Sequence, residues 1–124
     1  MSDKFDLQQR LIDYAVIVIE VSDKLPRSMA GRHIASQILR SGTAPAANYG
    51  EAQSAESRRD FVHKLKLSLK ELRETEIWLK ILSSASLFSG AKVDFLLKET
   101  DELISILYAS VKTAEKNLND NRQA

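Results

Sequence analysis

Residues 57–84 read SRRDFVHKLKLSLKELRETEIWLKILSS, and this stretch decides the fold class. Its apolar and small polar residues recur at steps of four and three, the spacing that places side chains on one face of a helix packed in a bundle. The residues that share this face are Phe61, Leu65, Ser68, Leu72, Thr75, Leu79 and Leu82. Ser57 followed by Asp60 resembles a capping box, which predicts a helix that begins near residue 58.

Three further segments show the same periodicity, and short polar stretches separate them. The four helices are predicted over residues 6–24, 28–54, 58–83 and 91–118. The first ends before Pro26, because a residue that precedes proline disfavours the helical conformation. Four amphipathic helices with short connections pack most simply as an antiparallel up-down-up-down four-helix bundle, an all-α fold. At 124 residues the chain is expected to form a single domain over residues 1–124.

The second segment is interrupted by the sequence SGTAP at residues 41–45. Pro45 cannot donate a backbone hydrogen bond to Ser41, and its ring crowds the preceding turn. Helical character resumes from Ala46 onward. From the residues alone, a loop and a kink within one long helix fit this pattern equally.

Two regions carry apolar residues outside the narrow stripe that a helix turns toward the core. Val16, Ile17 and Ile19 point away from the main face of the first helix, so its centre is apolar nearly all round. In the third helix, a second patch lies away from the seam and consists of Leu67, Trp78 and Ile81. Because tryptophan is enriched between subunits, this patch is a candidate oligomer interface. The alternative is a wide core in which the first or second helix covers it.

Charge is unevenly distributed along a chain whose formal net charge is only +1. Residues 24–49 contain four basic residues and no acid. In the third helix, four cations spaced by seven, four and three share one face away from the apolar seam: Arg59, Lys66, Lys70 and Arg73. Such a stripe can neutralise phosphates of RNA. The alternative is a solvated basic face that neighbouring glutamates partly offset.

Neither a catalytic nor a metal site is predicted. The bundle di-iron motif needs Glu-x-x-His, but Ala30 precedes His33 and Asp60 precedes His63 at that spacing. The chain has no cysteine, no glycine-rich phosphate loop and no nucleophile elbow. We therefore expect a protein without enzymatic activity, cofactor or small-molecule substrate. No signal-peptide pattern or membrane-length apolar run is present, so a cytoplasmic location is expected.

Two regions of the chain resemble a known family. Their sequences are QILRS at residues 37–41 with AANYGEA at 46–52, and DFVHKL at 60–65 with LKELRETEIWL at 69–79. They are similar to the four-helix-bundle proteins encoded in intervening sequences of bacterial large-subunit ribosomal RNA genes. The similarity extends over nearly the whole chain.

The resemblance implies a left-handed antiparallel bundle in which Pro45 is a bend within one second helix. It also implies a ring-shaped homopentamer. A relative within the family, the accessory variability protein of diversity-generating retroelements, forms such a ring and binds RNA and a reverse transcriptase. Arg40, Asn48 and Glu51 match the family motif, and we expect them to satisfy the bent backbone or pair between helices.

Together these observations lead to one functional hypothesis and one alternative. The hypothesis is a homo-oligomeric module that contacts RNA or a nucleoprotein partner through a basic surface on helices two and three. The alternative is a protein-interaction scaffold with no nucleic-acid role.

Overall fold

The structure, a computed structural model, describes residues 6–123, with side chains described through residue 120. It contains helices α1 (Leu7–Lys24), α2 (Met29–Gln53), α3 (Arg58–Ser84) and α4 (Ala91–Gln123). Over the described range no residue is in a β-strand. The predicted all-α fold class is confirmed.

The helices are arranged in chain order around a common core. Each helix packs against the next one, and α4 closes the bundle against α1. Consequently α1 lies diagonally across from α3, and α2 lies diagonally across from α4. This is the predicted antiparallel four-helix bundle. It also places the α1/α2 seam and the α3/α4 seam on opposite sides of the molecule.

Side-chain caps fix where the first three helices begin. Asp6, Ser28 and Ser57 each accept a hydrogen bond from the backbone N–H three residues later, at 3.0–3.1 Å. Such a cap satisfies an N–H group that has no partner within the helix. The turn before α2 is tight, since a Cβ on Gly31 would lie 2.0 Å from the carbonyl oxygen of Pro26.

α2 passes through Pro45 as one continuous helix. The interpretation of this region as part of a single long helix is therefore confirmed, and the loop alternative is wrong. Buried hydroxyls from α3 contact α2 in this region: Ser68 Oγ donates to the carbonyl of Pro45 at 3.0 Å. One turn away, the hydroxyls of Thr75 and Ser41 lie 2.8 Å apart.

The core consists of the periodic residues of all four helices. Leu65, Leu72, Leu79 and Leu82 of α3 are almost completely buried, as the seam of that helix predicted. A polar pair crosses the core where the hydroxyl of Tyr14 on α1 lies 2.6 Å from that of Thr100 on α4. Burial raises the pKa of Tyr14 well above its ordinary value, so the phenol stays protonated.

α4 is longer than the sequence analysis indicated. We expected this helix to end near residue 118, but it continues to Gln123. Residues 92–123 contain neither glycine nor proline, so nothing in the sequence terminates the helix. The last turns of α4 are polar, which indicates that they do not pack against the core. A helix can continue beyond the part that packs.

Candidate nucleic-acid interface

Three of the four cations of α3, Arg59, Lys66 and Arg73, lie on the side of that helix that faces α4, and Lys70 is exposed beside them. All four side chains are exposed. Lys66 Nζ lies 2.7 Å from a carboxylate oxygen of Glu115, and the Arg73 guanidinium lies 5.9 Å from the ring centroid of Tyr108. We call this surface the α3/α4 basic face; it comprises Arg59, Lys66, Lys70 and Arg73 of α3 with Tyr108 and Lys112 of α4.

Helix α4 adds two residues to this face that the sequence analysis missed. Tyr108 keeps 47% of its surface exposed, and Lys112 Nζ lies 5.4 Å from its ring centroid. Both residues lie off the buried stripe of α4, so the periodic pattern of that helix predicts only that they face outward. Their position beside Arg73 depends on how α3 and α4 align, which the sequence does not reveal.

One acid lies within the basic face. Glu115 pairs with Lys66, whose ammonium lowers the pKa of that carboxyl below its ordinary value. Arg59, His63 and Lys66 line a surface groove of about 400 Å³ together with Glu115 and Asn119. A phosphate that enters this groove must compete with Glu115 for the Lys66 ammonium.

Helix α2 contributes to the α2/α3 seam rather than to the basic face. Arg40 donates to Glu71 at 3.2 Å and also to Glu74. Glu51 accepts a hydrogen bond from Lys64 Nζ at 2.6 Å. Arg40 and Glu51 therefore link α2 to α3, and Asn48 is half-buried on α2.

Trp78 lies at the same seam, where α2 covers part of it. Its indole Nε1 donates to Glu74 at 3.0 Å, and its ring meets that of His33 edge-on with the centroids 5.6 Å apart. The bond from Trp78 and the Arg40 guanidinium both lower the pKa of Glu74. The indole thus has neighbours within its own chain.

The rest of the second apolar patch is less covered. Leu67 is half-buried, whereas Ile81 keeps 41% of its surface exposed. Met29, at the start of α2, is largely exposed. Because Trp78 contacts His33, Met29 lies one helical turn farther toward the same end of the bundle. We call Met29, Trp78 and Ile81 the α2/α3 apolar patch.

A larger apolar surface lies on the opposite side of the bundle from the basic face. Ile12, Val16 and Ile19 of α1 and Leu39 of α2 each keep 40–47% of their surface exposed. The three α1 residues continue the helix face of Gln8, whose amide donates to the carbonyl of Ala46 on α2. These four residues form the α1/α2 apolar face.

Two glycines of α2 lie along the same seam, and only one is in tight contact. A Cβ on Gly42 would lie 2.7 Å from Val18 Cγ1. A Cβ on Gly50 would lie 3.0 Å from the flexible end of Gln8. Gly42 therefore allows the close approach of α1 and α2, whereas Gly50 has a neighbour that can move.

A groove of about 410 Å³ lies between the ends of α2, α3 and α4. Its lining is mainly apolar and includes Tyr49, Phe61 and Ala109, and Arg58 is its one charged residue. It therefore lacks the convergent acid and base that acid–base catalysis needs. Across residues 6–123, no three His, Asp or Glu side chains cluster as metal ligands, and no helix is both long and apolar enough to span a membrane.

Comparison with known proteins identifies the family. A sequence profile described as 23S rRNA-intervening sequence protein matches residues 3–109. The chain belongs to this family. The resemblance found in the motifs of α2 and α3 is thereby confirmed. Tyr108 and the four cations of α3 fall within the matched residues, whereas Lys112 and Glu115 lie beyond them.

A solved structure is also similar to this chain. It is the crystal structure of a protein with unknown function from the S23 ribosomal protein family of Bacteroides thetaiotaomicron VPI-5482. The two chains are 31% identical and superpose with a TM-score of 0.79, over 86% of this chain and 98% of the other. None of the curated proteins matches this chain. No enzyme family is indicated by these relationships.

Proposed function

We propose that this 23S rRNA-intervening sequence protein is a non-catalytic, homo-oligomeric module that binds RNA, free or within a nucleoprotein, through its α3/α4 basic face. The observation that carries the proposal is the alignment of Arg59, Lys66, Lys70 and Arg73 on one exposed side of α3. Within the described residues, Lys66 is the one cation of the four that forms an ion pair. The other three are available to phosphates.

Charge and position both support a nucleic-acid partner. Each phosphate contact releases condensed counterions, so a row of cations gives binding that is independent of sequence and sensitive to salt. The basic face also lies on the opposite side of the bundle from the α1/α2 apolar face, which is suited to other contacts. RNA and a protein partner can therefore bind at the same time. This activity would place the protein in the cytoplasm.

Self-association is proposed on the basis of the two apolar surfaces. The α1/α2 apolar face and the α2/α3 apolar patch differ in composition and lie on different seams. When two different surfaces of one chain bind each other head to tail, the assembly closes into a ring if the rotation permits. A homopentameric ring would present its basic faces repeatedly, and that repetition would strengthen binding to a long RNA.

The test is charge reversal of all four α3 cations to glutamate, followed by RNA binding at several salt concentrations. The parent protein should bind a structured RNA with an affinity that falls steeply as salt increases. The variant should lose most of this affinity, and its salt slope should flatten. A parent protein with a flat salt slope, or a variant that binds as tightly as the parent, contradicts the proposal.

The second candidate function is a protein-interaction scaffold with no nucleic-acid role. The exposed apolar residues of α1 favour it, because surfaces of this kind commonly mark protein contacts. This alternative predicts protein that is free of nucleic acid when purified without nuclease. The ultraviolet absorbance ratio and the molar mass of such a preparation distinguish the two functions.

A further inference from the structure

Tyr108 is an exposed aromatic residue whose surroundings set it apart from a similarly exposed ring on the same helix. Its ring lies 5.9 Å from the Arg73 guanidinium carbon and 5.4 Å from Lys112 Nζ. Phe95 of α4 is exposed to almost the same extent, 48% against 47% for Tyr108. Among the described side chains, no cation lies over the ring of Phe95.

An exposed ring beside two cations has the components that single-stranded nucleic acids require. Any base can stack on an aromatic face, and adjacent cations bind the flanking phosphates. The planar guanidinium of Arg73 can itself stack on a base or bind a phosphate in a bidentate manner. Exposed cation–π contacts are weak, so a base can displace one cation from the ring toward a neighbouring phosphate.

We propose that Tyr108 is a stacking platform for an unpaired base, and that the α3/α4 basic face consequently prefers single-stranded RNA to duplex RNA. This inference rests on the proposed RNA-binding function and adds to it the class of RNA. The bases of an A-form duplex are stacked within the helix, and its narrow major groove excludes side chains. A duplex therefore offers no base face along its length on which Tyr108 can stack.

The remaining cations extend the site along α3. Lys70 precedes Arg73 by three residues and Lys66 by seven, so both lie within about two helical turns of Tyr108. A strand whose base stacks on Tyr108 can therefore run along α3 with its phosphates beside Arg73, Lys70 and Lys66. In this arrangement, the ring selects unpaired RNA and the lysines add affinity without base selectivity.

The experiment measures fluorescence anisotropy with two labelled probes, a single-stranded oligouridylate and a blunt RNA duplex of the same length. Tyr108→Ala should weaken binding of the single strand about five- to tenfold, the lower part of the range for loss of one stacked base. Binding of the duplex should not change. Tyr108→Phe keeps the aromatic face and should retain the affinity of the parent for both probes.

Phe95→Ala provides the matched control, because it removes an equally exposed ring of α4 that has no cation over it. It should leave both affinities unchanged. A fluorescent purine analogue within the single strand gives a direct readout, since stacking on Tyr108 should quench its emission. Circular dichroism melting checks that each variant is folded, as expected for substitutions at exposed positions.

Three results would overturn the stacking role of Tyr108. They are unchanged single-strand binding by Tyr108→Ala, equal weakening for both probes, and a parent protein that prefers the duplex. If the fourfold charge reversal abolishes binding in any of these cases, the proposed RNA-binding function stands without the stacking platform. If the parent binds neither probe but binds the structured RNA of the charge-reversal experiment, only this inference is wrong; if it binds none of the three, the function and the inference are both wrong.

Discussion

The two opposite sides of this bundle are built from the same kind of helix but suit different partners. The α1/α2 apolar face exposes Ile12, Val16, Ile19 and Leu39, whereas the α3/α4 basic face exposes five cations and one tyrosine that lies beside two of them. Both surfaces lie outside a core of the same leucine-rich type. The buried stripes therefore determine the fold, while the outward positions of the helices are free to specify binding.

A charge on the α1/α2 apolar face should prevent assembly. Ile19→Glu places a charge in the α1/α2 apolar face, and burying it against another subunit would be costly. We expect the molar mass measured by light scattering to fall toward the 13.9 kDa of one chain while helicity persists. Lys70→Glu, on the basic face, should leave the mass unchanged. A parent protein that is already monomeric contradicts the assembly proposal.

Mixing two variants tests whether the interface is head to tail. Trp78→Glu on the α2/α3 apolar patch should also give monomers. If that patch binds the α1/α2 apolar face, each variant retains the surface that the other has lost. An equimolar mixture of Ile19→Glu and Trp78→Glu should therefore form dimers, with about twice the 13.9 kDa mass of one chain. A mixture that remains monomeric excludes this pairing of surfaces.

The next largest effect concerns the seam beneath the apolar face. Gly42→Ala would place a methyl group 2.7 Å from Val18 Cγ1, so α1 must shift away from α2. We expect the free energy of unfolding to fall by about 1–3 kcal/mol, as is typical of overpacking. Gly50→Ala is the control and should be neutral or stabilising, because Gln8 can move and alanine favours the helix. Urea denaturation compares the two variants, and equal effects would show that Gly42 is not a tight contact.

A smaller effect, on RNA affinity, is expected when Glu115, which competes with phosphate for Lys66, is removed from the basic face. Glu115→Gln abolishes the ion pair with Lys66 and removes a negative charge from the face. RNA affinity should rise about two- to fivefold, comparable to the energy of one exposed ion pair. Glu102→Gln changes a carboxylate that instead pairs with Arg10 near α1 and should leave the affinity unchanged. A loss of affinity in Glu115→Gln would show that Glu115 organises the face rather than competing within it.

The smallest effect lies at the α2/α3 seam and depends on pH. Trp78 and Arg40 lower the pKa of Glu74 in the folded protein below its ordinary value of 4.5. The stabilisation is therefore complete above pH 4.5 and is lost as the pH falls through the lowered pKa of the folded state. Thermal melting should show a weaker acid dependence for Glu74→Gln than for the parent. If the melting temperatures of the two proteins depend on acid pH in the same way, Glu74 does not contribute to stability.

The sequence predicted the buried faces well because helical periodicity records them directly. Most of the α3 seam was predicted correctly, because its members from Leu65 to Leu82 have the spacing of a helix face and are buried. Phe61, also predicted on the seam, is only half-buried, and the buried Val62 and Leu69 lie outside the predicted set. Pro45 was different, because the residues alone fitted a loop as well as a kinked helix. Hydroxyls from α3, which is remote in sequence, form hydrogen bonds with α2 in that region.

The candidate site was predictable only within one helix. The spacing of Arg59, Lys66, Lys70 and Arg73 identified a common face, but not the helix beside it. Tyr108 and Lys112 join that face because Lys66 aligns with Glu115 and Arg73 with Tyr108 across the α3/α4 seam. Such alignment between helices depends on packing, which a periodic pattern leaves open. For the same reason, the neighbours of Trp78 on α2 could not be assigned.

The buried hydroxyls between α2 and α3 have a consequence for the vertical alignment of the two helices. Leucines at successive turns of a helix resemble one another. Two helices that met only through leucines could therefore shift by one turn along their axes at little cost. Here such a shift would move Ser68 away from the Pro45 carbonyl and Thr75 away from Ser41, so the buried hydrogen bonds between the two helices would be lost. These serines and the threonine therefore fix the axial register of α3 against α2. They hold α3, and every charge that it displays, at a single height relative to α2.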